Sequence, residues 1–173
     1  MRILVRAAAA AAIALVLAAA PARAQLSLGL MGGAALPTSD LADTHGTGLH
    51  AQLYLGVGVP LVPVKARIEG LHASFPGASV SGVVQPDARA TGVALSLIYD
   101  LPMPVVTPYL LGGVGYYGTR VEDVSRSNGG WNAGAGLRLR LGGLGMFVEA
   151  RHFDVSTGAQ DLTFAPLTVG LTF

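Results

Sequence analysis

Between Trp131 and Leu141 every odd-numbered residue is apolar: Trp131, Ala133, Ala135, Leu137, Leu139 and Leu141. Every even-numbered one is polar or glycine: Asn132, Gly134, Gly136, Arg138 and Arg140. A period of two held over this length specifies a β-strand whose faces meet chemically different surroundings. In a soluble sheet the apolar face is the core and the arginines are wet. In a membrane barrel the assignment inverts, with leucines toward lipid and arginines toward the interior. The stretch by itself permits both, so the choice falls to the rest of the chain.

Composition narrows it. Charged residues are 12% of the 173, roughly half the usual share, and 24 residues are glycine, roughly twice the usual share. Mean hydropathy is high, yet beyond residue 24 no apolar run approaches the ~18 residues of a membrane helix. In lipid, only helices and closed barrels satisfy the backbone, so high hydropathy without spanning helices points to a barrel. A net charge of +1 provides no basic field for nucleic acid. The absence of cysteine excludes a disulfide scaffold and a thiolate metal site.

The N-terminus reads as an export signal. Arg2 and Arg6 form a positive region, residues 7–20 are unbroken apolar sequence, Pro21 ends it, and Ala22-Arg23-Ala24 fits an A-x-A cleavage site. An uncleaved anchor helix is the alternative, but the segment is short of the ~20 residues a span needs. Residues 1–24 are therefore expected to be a signal peptide, and residues 25–173 the mature domain, starting at Gln25.

From Gln25 onward, period-two segments recur at 25–35, 49–59, 64–75, 90–101, 106–121, 131–141, 145–155 and 164–173. Eight strands of roughly ten residues suit a tilted bilayer crossing. Their connections alternate in kind. Pro60 with Pro63, Pro102 with Pro104, and Gly142-Gly143 mark short turns, while polar loops begin at Pro37, Pro76, Glu122 and Ser156. Short turns on one side and longer loops on the other, with both termini on the short-turn side, is the layout of an outer-membrane barrel. The fold class predicted is all-β: an eight-stranded antiparallel up-and-down transmembrane barrel.

Turn arithmetic tests which face is inside. Pairing Leu141 with Leu144 sets Arg138 opposite Phe147 and Glu149 opposite Gly136. Arg138, Arg140, Glu149 and Arg151 then share a face, with Glu149 diagonal to Arg138 and within reach of it. Pairing Val59 with Val64 likewise sets Glu69 opposite Tyr54 and Arg67 opposite Gly56. An eight-stranded barrel is just wide enough for side chains to fill. The expectation is a plugged polar interior held by Arg67, Glu69, Arg138, Arg140, Glu149 and Arg151, with Asp100 near the periplasmic end. A soluble lipocalin-type barrel would instead put these charges outside. Against it stand the low charge content and the aromatics near strand ends on the apolar faces: Tyr99 and Phe173 on one side, Trp131 on the other.

The segments Thr107-Pro108-Tyr109-Leu110-Leu111-Gly112-Gly113-Val114-Gly115-Tyr116-Tyr117, Asn132-Ala133-Gly134-Ala135-Gly136-Leu137-Arg138, Phe147-Val148-Glu149-Ala150-Arg151 and Pro166-Leu167-Thr168-Val169-Gly170-Leu171-Thr172-Phe173 resemble small Gram-negative outer-membrane barrels of the OmpA-like and OmpX-like kind. The resemblance covers the whole chain. It implies outer-membrane localisation after export through the periplasm, and outer-membrane lipid as the surrounding partner. It also implies that Leu167, Val169, Leu171 and Phe173 form the C-terminal signal read by the barrel assembly machinery.

Chemistry-bearing motifs are sparse. His72-Ala73-Ser74 resembles the His-x-Ser arrangement of outer-membrane lipid A deacylases, but that site also needs a carboxylate to orient the histidine, and Asp87 lies across a loop. His45, His50 and His152 show no metal-ligand spacing. Gly112-Gly113-Val114-Gly115 lies within a strand rather than before a helix, which removes the phosphate-loop reading. The expectation is a monomer without catalysis, cofactor, metal or nucleic-acid partner, structural or binding an unknown ligand through its external loops. A lipid-modifying enzyme and a narrow solute channel are the alternatives. N-terminal sequencing of the protein recovered from outer membranes is expected to start at Gln25; a chain still carrying Met1 would refute the assigned cleavage.

Overall fold

The computed structural model describes residues 25–59, 62–80, 83–84, 86–121, 124–141, 143–156 and 162–173. Ala22, Ala24, Gly142 and residues 157–161 lie outside them. The elements are β1 (Gln25–Thr38), α1 (Asp40–Thr44), β2 (Gly48–Gly58), β3 (Val64–Phe75), β4 (Ser79–Val80), β5 (Val83–Val84), β6 (Ala88–Asp100), β7 (Val106–Val121), β8 (Val124–Leu141), β9 (Leu144–Val155) and β10 (Leu162–Thr172). Eight of the strands close into one antiparallel barrel in the order β1-β2-β3-β6-β7-β8-β9-β10, with β10 pairing back to β1. The short β4 and β5 pair only with each other, in the second external loop.

The registers follow the pleat. Leu141 pairs with Leu144, Arg138 with Phe147 and Gly136 with Glu149 across β8 and β9. Tyr54 pairs with Glu69 and Gly56 with Arg67 across β2 and β3. One parity of each strand is consequently buried and the other faces outward. Leu28, Leu30, Leu53, Leu55, Ile68, Val93, Leu97, Val114, Leu137, Leu167 and Val169 are all exposed. A continuous apolar exterior of this extent is incompatible with water and suited to hydrocarbon. Tyr99 and Phe173 border it at the turn end, Trp131 and Tyr116 toward the loop end, and Trp131 leans on the His152 ring at 5.5 Å.

One expected loop is strand instead. β7 and β8 continue pairing past Tyr117↔Asn128 to Val121↔Val124, so most of the polar segment from Glu122 to Gly130 belongs to β8. Above the membrane, the outward face need not be apolar. The backbone ladder can therefore continue while the alternation that announces a strand disappears. A second irregularity is Pro166. Lacking an N–H donor, it interrupts the β9–β10 ladder between Phe164↔Phe153 and Leu167↔Ala150, which resumes in the same register.

Closure between β1 and β10 depends on Gly33, which pairs with Thr168. A Cβ built there lies 2.0 Å from the Leu167 backbone oxygen, whereas one on Gly70 meets nothing within 4 Å. The obstacle at Gly33 is backbone, so no side-chain rotation relieves it. Gly33→Ala is expected to destabilise the barrel by about 1–3 kcal/mol, read by urea unfolding in micelles with gel mobility before and after boiling. Gly70→Ala is the neutral comparison, and equal midpoints for the two variants would discount this reading of the seam.

Candidate functional site

The interior is layered. At the mouth on the short-turn side, Asp100 at the end of β6 accepts from two cations. Lys65 at the start of β3 pairs with its Oδ2, and Arg138 Nη1 donates to Oδ1 and Oδ2 at 2.9 and 3.1 Å. The Arg138 guanidinium also covers the Tyr109 ring at 4.6 Å. Lys65 and Arg138 line an open cavity of about 370 Å³, together with Tyr54, Arg67, Arg140 and Phe173. Arg140 shares the inward parity but is exposed, and it forms no ion pair among the described residues. It sits one residue from the end of β8, where the lumen has already opened to water, so the expected network stops at Arg138.

Above the mouth lies an apolar collar of Met31, Tyr54, Ile98, Tyr109, Leu111 and Phe147. Tyr54 and Phe147 meet edge to face at 6.0 Å. Beyond the collar is the central ion cluster. Arg67 Nη2 donates to Glu149 Oε1 and Oε2 at 3.2 and 3.1 Å. Arg151 donates through Nη1 and Nη2 to Glu69 Oε1 and Oε2 at 3.0 and 2.7 Å, and its Nε pairs with Glu149. Arg67 Nε lies 3.5 Å from Glu69 Oε1. Ser96 Oγ donates to Glu69 at 2.6 Å and the Tyr109 hydroxyl to Glu149 at 2.8 Å. All four charged residues are at most 4% exposed.

The cluster spans the lumen. Arg67 and Glu69 stand on β3, and Glu149 and Arg151 on β9. In the barrel order three strands separate β3 from β9 whichever way one goes round, so these are opposite walls. The pairing expected from hairpin geometry, Glu149 with the diagonal Arg138, does not form. Arg138 turns down to Asp100, and Glu149 reaches across to Arg67 while holding Arg151 beside it. In so narrow a lumen the far wall is within reach of a long side chain, and the facing glycines provide the space. Gly56, Gly136 and Gly134 stand opposite Arg67, Glu149 and Arg151. A Cβ at Gly134 would lie 2.9 Å from the Arg151 Cγ and 2.8 Å from its Cα.

The loop-facing half of the interior mixes polar with apolar side chains, where a plugged polar interior was expected. His50 Nε2 bonds Thr168 Oγ1 at 2.9 Å, and Asn132 accepts from Arg151 at 3.5 Å. Above them Phe75, Tyr117, Phe153, Val155, Leu162 and Phe164 pack as one buried cluster. Phe153 and Phe164 stack at 4.9 Å, Phe75 meets Phe164 at 5.3 Å, and Tyr117 meets Phe153 at 6.0 Å. Leu41 of α1 lowers itself onto this cluster from the first external loop. That loop is tied to the second. Gly46 N–H donates to Pro76 O and Ala78 N–H to Thr44 O, both at 2.9 Å, and His45 Nε2 bonds Pro86 O at 3.2 Å. Lys65, Ser96, Tyr109 and the aromatic cluster escaped the sequence reading, although each lies on the buried parity of its strand.

The hydrolase-like residues do not converge. His72 is exposed on the outer wall, where its Nδ1 bonds Thr91 Oγ1 at 2.9 Å. Asp87 Oδ1 accepts from the Gly77 N–H at 3.2 Å. Ser74 follows His72 by two positions on the same outward parity. Among the described residues, no group of three His, Asp or Glu side chains could hold a metal ion.

A closed eight-stranded barrel with an apolar exterior and an internally paired charged core defines a small integral outer-membrane barrel. The family described as "Outer membrane protein beta-barrel domain" matches residues 7–173, and the chain belongs to it. Among solved structures it is similar to Neisserial surface protein A, with 15% identity, 86% of this chain and 97% of that chain covered, and a TM-score of 0.69. A major outer membrane protein from Thermus thermophilus shares 14% identity, with 87% and 98% covered and a TM-score of 0.58. The Yersinia pestis outer membrane protein Ail, in a phospholipid bilayer nanodisc, shares 15% identity, with 86% and 100% covered and a TM-score of 0.53. No curated protein matches the sequence significantly. At these identities the likeness to solved structures is one of fold.

Removing one partner of a buried ion pair leaves an uncompensated charge, at a cost of about 3–5 kcal/mol. Glu149→Leu strips partners from both Arg67 and Arg151 and is expected to lose stability on that scale. Arg140→Ala should stay within about 0.5 kcal/mol of the parent. Urea unfolding in micelles, followed by the fluorescence of Trp131, measures both; comparable losses would remove the distinction between core and mouth.

Proposed function

We propose that this protein is a monomeric, non-catalytic barrel of the outer membrane. In this reading it contributes to envelope structure and presents its external loops for binding. Residues 1–24 direct export and are removed, and residues 25–173 form the barrel. Leu167, Val169 and Leu171, on the lipid-facing parity of β10, and Phe173, which follows it on the same parity, present the strand to the barrel assembly machinery. Outer-membrane lipid is the standing partner, and a ligand of the external loops is the second.

The observation that carries this reading is the stacking of two seals in one lumen: the transverse ion cluster of Arg67, Glu69, Glu149 and Arg151, and the Phe75–Phe153–Phe164 packing above it. Each charge in the lumen centre is occupied by an opposite charge on the facing wall, which suits bracing better than conduction. The cavity open at the short-turn mouth has Tyr54 and Arg67 in its wall. Water-filled channels belong to barrels of about sixteen strands. The separate engagement of His72 and Asp87 argues against a lipid-hydrolysing site.

Planar bilayers containing the folded barrel are expected to stay silent at all voltages they withstand. Reproducible unitary steps that change in Arg138→Ala would establish a conducting path and overturn the sealed-lumen reading.

A further inference from the structure

Near the loop end of β6 and β7 two arginines occupy an unfavourable position. Arg89 and Arg120 are register partners, and both are exposed on the outward parity of their strands. Directly opposed residues in an antiparallel pair bring their Cβ atoms to about 4.5–5.5 Å, where like charges repel. Among the described residues neither forms an ion pair. Asp87, two positions from Arg89, turns its carboxylate to the Gly77 N–H instead.

The surroundings fix the height of this pair. Descending the same outward face, the next rung holds His72, Thr91 and Gly118, with His72 bonded to Thr91 at 2.9 Å. The rung below that holds Gly70, Val93 and Tyr116. From there the wall is apolar down to Tyr99: Val93 is 61% and Leu95 48% exposed. Tyr116 thus marks the upper edge of the hydrocarbon, and the arginines stand two rungs beyond it, at headgroup level in the outer leaflet. Guanidinium groups bind phosphate oxygens through paired N–H donors. A phosphate set between the two would turn a repulsive cross-strand pair into a bridged one.

We propose that Arg89 and Arg120 form an external seat for the phosphate of an outer-leaflet lipid, fixing a lipid molecule against β6 and β7. The seat rests on the outer-membrane placement proposed above, but it lies outside the lumen and is independent of whether the lumen conducts.

The folded barrel in micelles is titrated with bisphosphorylated lipid A, with dephosphorylated lipid A and with inorganic phosphate. Gel mobility before and after boiling confirms that each variant is folded. Wild-type barrel should bind the bisphosphorylated lipid at least tenfold more tightly than the dephosphorylated one. R89A/R120A should lose that preference, while R89K/R120K, which retains the charges but not the paired donors, should keep part of it. Arg140→Ala, at the opposite end, should bind as wild type. The proposal fails if R89A/R120A retains the preference, or if wild type binds both lipids alike. It also fails if inorganic phosphate at millimolar concentration displaces the lipid completely, since the seat would then serve a free ion.

Discussion

Every strand of this barrel answers to one constraint: in hydrocarbon, a backbone N–H or C=O has no partner except another strand. An open sheet would leave two bare edges, so β1 must meet β10, and with eight strands the cylinder that results is narrow. Its lumen holds side chains and little else. The inward parity is therefore under a packing constraint as strict as that of any soluble core, and the outward parity must be apolar for as long as lipid surrounds it. The alternation along Trp131–Leu141 is the trace of these two demands on one strand.

Charges inside so narrow a cylinder are stable only if they neutralise one another. The four central charged residues do so across the diameter, β3 to β9, with Ser96 and the Tyr109 hydroxyl each adding a donor, to Glu69 Oε1 and Glu149 Oε2. A pair confined to one hairpin would tie only neighbours that the backbone ladder already ties. A transverse pair adds a connection the ladder cannot make. The glycines at 56, 134 and 136 belong to the same arrangement. They stand opposite the charged side chains and leave the space into which those side chains extend.

Much of this was legible from residue order. Period two gave the strands, and the Gly142-Gly143 and Pro60–Pro63 turns gave two registers, because a tight turn fixes which residues face each other and the pleat propagates that choice. The mismatches have physical causes. The partner of Glu149 is Arg67, 82 positions away, and no local rule ranks a residue on the opposite wall against one on the adjacent strand. The start of β8 escaped detection because a strand above the membrane carries no lipid-facing pattern. The aromatic plug went unnoticed because Phe75, Phe153 and Phe164 look like any apolar residues until their parity is compared with that of Arg67 and Arg151.

The two ends of the barrel are consequently unlike. At the short-turn end the strands stop near the edge of the hydrocarbon, with Tyr99 and Phe173 at the boundary and charged groups at an open mouth. At the outer end β7 and β8 rise past Tyr116, α1 closes over the aromatic cluster through Leu41, and the first two loops are joined by backbone bonds between residues 44–46 and 76–78. The outer end is thus an extension of the folded core rather than a set of free connections. Side chains carried there, on the wall or on the joined loops, are held in fixed relation to one another and to the membrane surface, as recognition of anything at that surface requires.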